Sequence, residues 1–329
     1  MTPPARILVV KLSSLGDVVH AMPAVQDMRR ALPGVQVDWV VERGFAPLVR
    51  RCEGVGRVIE IELRRWRRAP LARATRQAWH AFRAELQAQA YDAVIDLQGL
   101  TKSALVARMA QLAPGGRRYA LANRTEGSGY EAPTRWVADV AVAVEPRIHV
   151  VQRSRVLCAR ALGYELSAGE DFGLVTQAPD TAGHEVALVH GTSREDKCWP
   201  QANWLALGRR LIAQGHGIGL PHGSAAERER AQHLAQALGV GASVWPALDL
   251  GLLTDRLAGC AGVIGVDSGL SHIATALDRP HVQLYNFDTA WRTGPVGRER
   301  QRCVFGQPAP GVDAVWQAWL EVRQPGPAA

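Results

Sequence analysis

Short apolar runs recur along this chain. Each ends in a polar turn and is followed by a longer amphipathic stretch, and this alternation limits the possible folds more than any other feature. In the first half Ile7–Val10, Val35–Val41, Val58–Ile61 and Ala93–Leu97 read as strands. Val18–Leu32, Pro70–Ala90 and Ser103–Leu112 read as the helices between them. A second series begins near residue 185. Its strands are Val186–Val189, Gly217–Leu220, Gly262–Val266 and His281–Tyr285, and its helices are Gln201–Gln214, Ala225–Leu238, Leu250–Ala258 and Leu270–Leu277. Strands alternating with helices form parallel sheets with crossover connections, the doubly wound α/β class. Two series within 329 residues predict two Rossmann-like domains, residues 1–170 and 171–329, parted where Ser, Gly, Pro and Asp gather in Ser167–Gly183. Facing domains leave a cleft, the usual place for a ligand. The last helix is expected to return to the first domain, and the tail Pro325–Ala329 to fray.

Composition narrows the classes. With 47% hydrophobic residues, each half can bury a core of its own. A membrane span needs roughly 20 apolar residues, whereas Ile7–Val10 stops at Lys11. Met1–Arg6 has no apolar stretch or cleavage site of a secretory signal, so a cytoplasmic protein is expected. The five cysteines are scattered without CxxC or Cys/His ligand spacing, which supports neither a disulfide framework nor a zinc site. The net charge of +7, mostly from Arg, suits a polyanionic partner: nucleic acid, a nucleotide or an anionic membrane face.

Three turns carry candidate chemistry. Lys11-Leu12-Ser13-Ser14-Leu15-Gly16-Asp17-Val18-Val19-His20 joins the first strand to the first helix, at the sheet edge where parallel α/β domains bind ligands. It is neither a dinucleotide fingerprint nor a P-loop. Asp17 reads either as a helix N-cap or as a carboxylate base facing the ligand, and His20 as packing or substrate contact. Thr192-Ser193-Arg194-Glu195-Asp196-Lys197-Cys198-Trp199-Pro200 follows the first strand of the second series, with hydroxyls and one Lys that suit a phosphate. Asp267-Ser268-Gly269-Leu270-Ser271-His272 brings a strand into a tight turn and a helix N-terminus, whose free N–H groups suit a diphosphate. Together the last two predict a nucleotide-diphosphate site in the second half.

Arg64-Arg65-Trp66-Arg67-Arg68 places four guanidiniums within five residues, with Arg73, Arg76 and Arg83 following. This is a solvated basic face or an anion-capture site, with Trp66 stacking on a sugar or lying among lipid headgroups. The chain contains no recognised nucleic-acid motif.

In this order, these four segments resemble those of glycosyltransferase family 9, the heptosyltransferases of lipopolysaccharide core synthesis, over nearly the whole chain. The resemblance implies a GT-B fold. It also implies an inverting transfer, without metal or cofactor, from ADP-L-glycero-β-D-manno-heptose to Kdo of Kdo2-lipid A. By that similarity Asp17 is the general base. Thr192, Ser193 and Lys197 hold the diphosphate and donor sugar, and Asp267 meets the heptose hydroxyls. Ser268, Gly269 and His272 line the pyrophosphate, and Leu248 packs on adenine. Ser14, His20, Arg64, Arg65, Arg67 and Arg68 fall on the acceptor side, with peripheral contact to the cytoplasmic face of the anionic inner membrane and no nucleic acid. Two departures stand out. The family's acidic residue near Ala225 is missing here, with Glu227 the nearest acid, and Tyr285–Pro295 replaces a loop of smaller residues. A later-acting heptosyltransferase, a GT-B-like nucleotide-sugar epimerase and a non-catalytic nucleotide-binding α/β protein remain as rival readings.

Overall fold

The computed structural model describes residues 4–177, 183–295 and 299–323. The expected fraying of Pro325–Ala329 falls outside them, as does the middle of Ser167–Gly183. The chain divides into two compact units, Met1–Val175 and Thr176–Ala329.

The strands of the first unit are β1 (Arg6–Val10), β2 (Gln36–Glu42), β3 (Val55–Ile61), β4 (Ala90–Asp96), β5 (Gln111–Leu121) and β6 (Val140–Val142). They form one sheet in the order β3-β2-β1-β4-β5-β6, with every pairing parallel. Ile7 lies opposite both Val37 and Ala93. A strand buried on both faces needs apolar residues at consecutive positions, which is why Ile7–Val10 reads as an unbroken run. One face buries Leu8, Val10, Val40, Ile59, Val94, Trp66, Phe82 and Leu86 in a single cluster. Elsewhere in the unit, helices Leu15–Ala31 and Val150–Leu162 pack together. They are tied by a buried pair in which Arg155 Nε and Nη2 donate to Asp27 at 2.6 and 3.1 Å. Losing one partner of such a pair costs about 3–5 kcal/mol, because the other charge stays buried. This pair therefore fixes the helix that carries Arg153.

The second unit repeats the plan. β7 (Glu185–Val189), β8 (Gly217–Leu220), β9 (Ala242–Val244), β10 (Gly262–Val266), β11 (His281–Tyr285) and β12 (Gln301–Phe305) form the parallel order β12-β11-β10-β7-β8-β9. Both units thus have the doubly wound topology, with strand order reversing beside β1 and β4 in one and beside β7 and β10 in the other.

Each sheet has two more strands than the alternation of apolar runs reveals. β5 contains Pro114, Gly115 and Gly116 and is partly exposed, while β9 and β12 are short or exposed edge strands. Edge strands need no continuous apolar run, so the pattern hides them. The last helix, Val312–Val322, packs on β11, β12 and helix Gln201–Ala213 of its own unit, with Trp319 fully buried.

Candidate active site

In the first unit the chain leaves β1 at its carboxyl end, beside the point where strand order reverses. Lys11 is 1% exposed. Its Nζ donates to Leu97 O at 3.0 Å and lies 3.7 Å from Asp17 Oδ1. Arg153 Nη2 reaches the same oxygen from helix Val150–Leu162, at 3.9 Å. The other oxygen, Oδ2, accepts the Ser14 amide at 3.1 Å and the Ser14 hydroxyl at 2.8 Å. Ser14, not Asp17, is the N-cap of helix Leu15–Ala31, and Asp17 stands at its third position. The N-cap reading of Asp17 is corrected accordingly. Burial alone would raise the Asp17 carboxyl, but Lys11, the Ser14 hydrogen bonds and Arg153 outweigh it and hold it below the usual carboxylate range. Its side chain is still 34% exposed and can reach a substrate.

Neighbouring groups build the same floor. Asp96 at the end of β4 accepts from the Gln98 and Gly99 amides and the Ser103 hydroxyl, and burial pushes its carboxyl up to about 6. The turn so fixed aims Gln98 Oε1 at the Leu12 and Ser13 amides, at 3.1 and 3.0 Å. Lys102 donates to Ser13 Oγ at 3.1 Å. His20 is buried, edge-on to His149 with ring centroids 6.4 Å apart.

The basic stretch lies beyond β3. Arg64, Arg65, Arg67 and Arg68 are all exposed, and Arg65 pairs with Glu62 at 2.9 Å. Trp66 is 7% exposed and packs edge-on against Trp79 and beside Phe82. It is a core residue, which corrects its assignment to a sugar or headgroups. The exposed apolar side chain of this segment is Leu71, at 86%.

In the second unit, Lys197 follows β7 and Asp267 directly follows β10, adjacent strands of the sheet. Lys197 Nζ donates to Asp267 Oδ2 at 2.6 Å, and His272 Nε2 lies 3.3 Å from Oδ1. Burial raises the Asp267 carboxyl, but His272 and Lys197 overcome it and hold the group well below the usual carboxylate range. Thr192 Oγ1 reaches Asp267 O at 3.5 Å, while Ser193 is exposed on the same loop. Ser268 is the N-cap of helix Gly269–Ala276, and its buried Oγ has no hydrogen-bond partner among the described residues. Lys197, Asp267, His272 and Thr192 therefore converge at one strand–helix turn, with Ser268 and Gly269 forming the turn itself.

Asn286 braces this loop from the end of β11. Its Nδ2 donates to Asp196 O and Cys198 O at 2.9 and 3.0 Å, and Trp199 Nε1 donates to Pro310 O at 2.8 Å. Glu227 lies on the first turn of helix Ala225–Leu238 and folds back to accept the Gly223 amide at 2.6 Å. A Cβ at Gly191 would sit 2.6 Å from its carboxyl, so the acid lies against the end of β7. Leu248 is half-buried in the loop after β9. The sequence alone gives no individual role to Lys11 or Asn286, which lie in the segments singled out above, and does not single out Lys102 or Arg153. Among the described residues no cluster of three or more His, Cys, Asp or Glu side chains could hold a metal ion, and no helix is long and apolar enough to cross a membrane.

The sequence profile described as "Glycosyltransferase family 9 (heptosyltransferase)" matches residues 79–313. The chain is 40% identical over 306 residues to lipopolysaccharide heptosyltransferase 1 of Pseudomonas aeruginosa, covering 90% of this chain and 82% of that one. Its fold superposes on the E. coli heptosyltransferase WaaC with ADP, with a TM-score of 0.86 and 35% identity, covering 97% of this chain and 100% of that one. The same enzyme with ADP-2-deoxy-2-fluoro heptose gives a TM-score of 0.82 at 35% identity, covering 95% and 98%.

Proposed function

The chain belongs to glycosyltransferase family 9, the heptosyltransferases, and from that premise we propose that it moves L-glycero-D-manno-heptose from ADP-heptose onto Kdo of Kdo2-lipid A. The observation that carries this reading is the Lys197–Asp267–His272 group at the N-terminus of helix Gly269–Ala276. A helix N-terminus with an adjacent ammonium is an anion site suited to a diphosphate.

The order of strands supports the donor assignment. The carboxyl ends of β10, β7, β8 and β9 stand side by side and carry Asp267, Lys197, Glu227 and Leu248 in turn. Diphosphate at β10 and β7, ribose near Glu227 and adenine on Leu248 fit that line. Thr192 and Ser193 contact the phosphates or donor sugar, and Asp267 contacts the heptose. The unpartnered Ser268 hydroxyl is a ready donor to the pyrophosphate, alongside Gly269.

The acceptor belongs to the first unit in this reading, at Ser14, Asp17 and His20. Arg64, Arg65, Arg67 and Arg68 meet its anionic groups, and with Leu71 they hold the enzyme peripherally on the cytoplasmic face of the inner membrane. Exposed Arg flanking one exposed Leu suits an anionic headgroup layer. During transfer, charge grows on the β-phosphate as the C1–O bond breaks. Lys197 and the helix N-terminus stabilise that charge, and Asp17 takes the proton from the attacking Kdo hydroxyl.

The test is to incubate the protein with ADP-heptose, with and without Kdo2-lipid A, and weigh the products. One heptose added to Kdo2-lipid A, with no donor turnover in its absence, supports the reading. Donor isomerised or hydrolysed alone would instead identify an epimerase-like enzyme. Transfer only to an already heptosylated acceptor would place the enzyme later.

A further inference from the structure

The two oxygens of Asp17 are held differently. Oδ2 is engaged by the Ser14 amide and hydroxyl at 3.1 and 2.8 Å. Oδ1 faces Lys11 Nζ at 3.7 Å and Arg153 Nη2 at 3.9 Å, both beyond hydrogen-bond distance. It therefore receives two positive charges while, among the described residues, it accepts no hydrogen bond. The two cations are themselves fixed: Lys11 donates to Leu97 O, and Arg153 Nη1 donates to Thr125 Oγ1 at 3.1 Å. The chain uses Arg almost everywhere, and Lys11, Lys102 and Lys197 are its only lysines. Lys11 is thus a compact cation in a chain whose other basic side chains are nearly all guanidiniums.

We propose that Lys11, seconded by Arg153, is a positioning residue that keeps Asp17 ionised and reserves Oδ1 to receive the proton. This rests on the reading of Asp17 as the base. In the step, the acceptor O–H bond breaks and its proton passes to Oδ1. The acceptor oxygen bonds the anomeric carbon, and the C1–O bond to the β-phosphate breaks with its electron pair leaving on ADP.

The other charged and titratable groups around Oδ1 set its field. Asp96 faces Lys11 from β4, and Lys102 holds Ser13 from helix Thr101–Met109. His20 lies one helical turn beyond Asp17, and His149 packs against it from the start of helix Val150–Leu162. Lys11 and Arg153 are the cations that lower the Asp17 carboxyl, and burial brings the Lys11 ammonium itself down to about 8. Removing the Lys11 charge must therefore raise the Asp17 carboxyl.

The experiment compares the wild type with Lys11→Met in two ways: the pH profile of kcat/KM with ADP-heptose and Kdo2-lipid A, and the 13C carboxyl titration of Asp17, assigned by difference from Asp17→Asn. Lys11→Met should move both the acid limb and the titration up by about one pH unit. A residue that only packs would lower the plateau and leave both midpoints in place, and unmoved midpoints overturn the proposal. If Lys11→Met does not fold, Arg153→Met is read in the same two ways and must shift them in the same direction. Asp17→Asn at wild-type rate would remove Asp17 as the base. The titration would still report separately whether Lys11 sets its ionisation.

Discussion

Lys197 Nζ sits 2.6 Å from Asp267 Oδ2, so the ammonium at the end of β7 is oriented by a carboxylate at the end of the neighbouring β10. Among the described residues one of its three N–H donors is used, which leaves two for a ligand. Lys197→Ala should reduce kcat by about 10²–10³, the usual cost of removing one donor to a developing oxyanion. Because Asp267 orients Lys197, adding Asp267→Ala should cost much less than the sum of the single effects. Steady-state kinetics on the two single variants and the double variant checks both statements, and strict additivity would separate the residues.

The exposed Arg64, Arg65, Arg67 and Arg68 carry a different expectation. They lie in the first unit, so replacing all four with Ala should leave ADP affinity unchanged. It should raise KM for Kdo2-lipid A by at least about tenfold, and lower binding to anionic vesicles at about 1 kcal/mol per basic residue near the surface. Leu71→Asp should weaken vesicle binding without changing ADP binding. Calorimetric titration with ADP and vesicle co-sedimentation make the comparison.

Glu227 accepts the Gly223 amide with Oε2 beside the end of β7. If its carboxylate reads the ribose, Glu227→Ala should weaken ADP binding by about tenfold, the loss of a charge-assisted hydrogen bond. The same change should hardly alter binding of 2′,3′-dideoxy-ADP. Equal losses for both nucleotides would restrict Glu227 to bracing the Gly223 turn.

How much of this was visible in the sequence depends on which residues have their position set locally. β1, β4, β7 and β10 are buried on both faces and show themselves as apolar runs, so Asp17, Lys197 and Asp267, in the turns that follow or end them, were found as turn residues. β5, β6, β9 and β12 escaped because they lie at or near sheet edges, where exposure breaks the pattern. Arg153 and Asn286 escaped for a different reason. Each meets its partner through tertiary packing, from a helix or loop distant in sequence, and although Asn286 lies in the singled-out Tyr285–Pro295 loop, nothing local tells which of its side chains reaches back to Asp196 and Cys198. Trp66 was misplaced because a tryptophan among four arginines looks exposed, although the helix turn points it into the core. One signal was present and unused: the chain's three lysines, among 38 cationic Lys and Arg residues, all touch a residue of one of the two clusters.

Gly265 sets how closely the Asp267 turn packs on its sheet. A Cβ there would lie 2.4 Å from Ser271 Oγ and 2.8 Å from Val189 Cβ. Ser271 cannot swing away without losing its 2.6 Å hydrogen bond to Val266 O. Gly265→Ala must therefore push helix Gly269–Ala276 off β10 and β7, at about 1–3 kcal/mol. The expected result is a melting temperature lower by several degrees, together with weaker ADP binding because the helix N-terminus moves. Calorimetry with and without ADP reads both, and an unchanged melting temperature would show that the turn can yield.

The buried imidazoles of the second unit predict how its stability depends on pH. His281 is fully buried with Nδ1 2.9 Å from Val263 O, and burial pushes its imidazole down from 6.5 to about 4. His190 is likewise buried and, chiefly through burial, lowered to about 4. In the unfolded chain both take up a proton near 6.5, whereas in the folded unit they do so only near 4. Between those values the unfolded state binds more protons, so stability is fully present above about pH 6.5 and falls as the pH drops towards 4. Each histidine contributes about 3 kcal/mol across that window, at about 1.4 kcal/mol per pH unit. His281→Gln replaces the ring with a group that does not titrate. It should lower stability at pH 7, where a buried hydrogen bond is disturbed, yet flatten the decline below pH 6.5 by about half of what the two imidazoles together produce. Urea unfolding of wild type and variant at steps from pH 7.5 to pH 4.5 separates the effects. Parallel curves would mean that His281 is protonated in the folded protein and its burial is compensated by a partner.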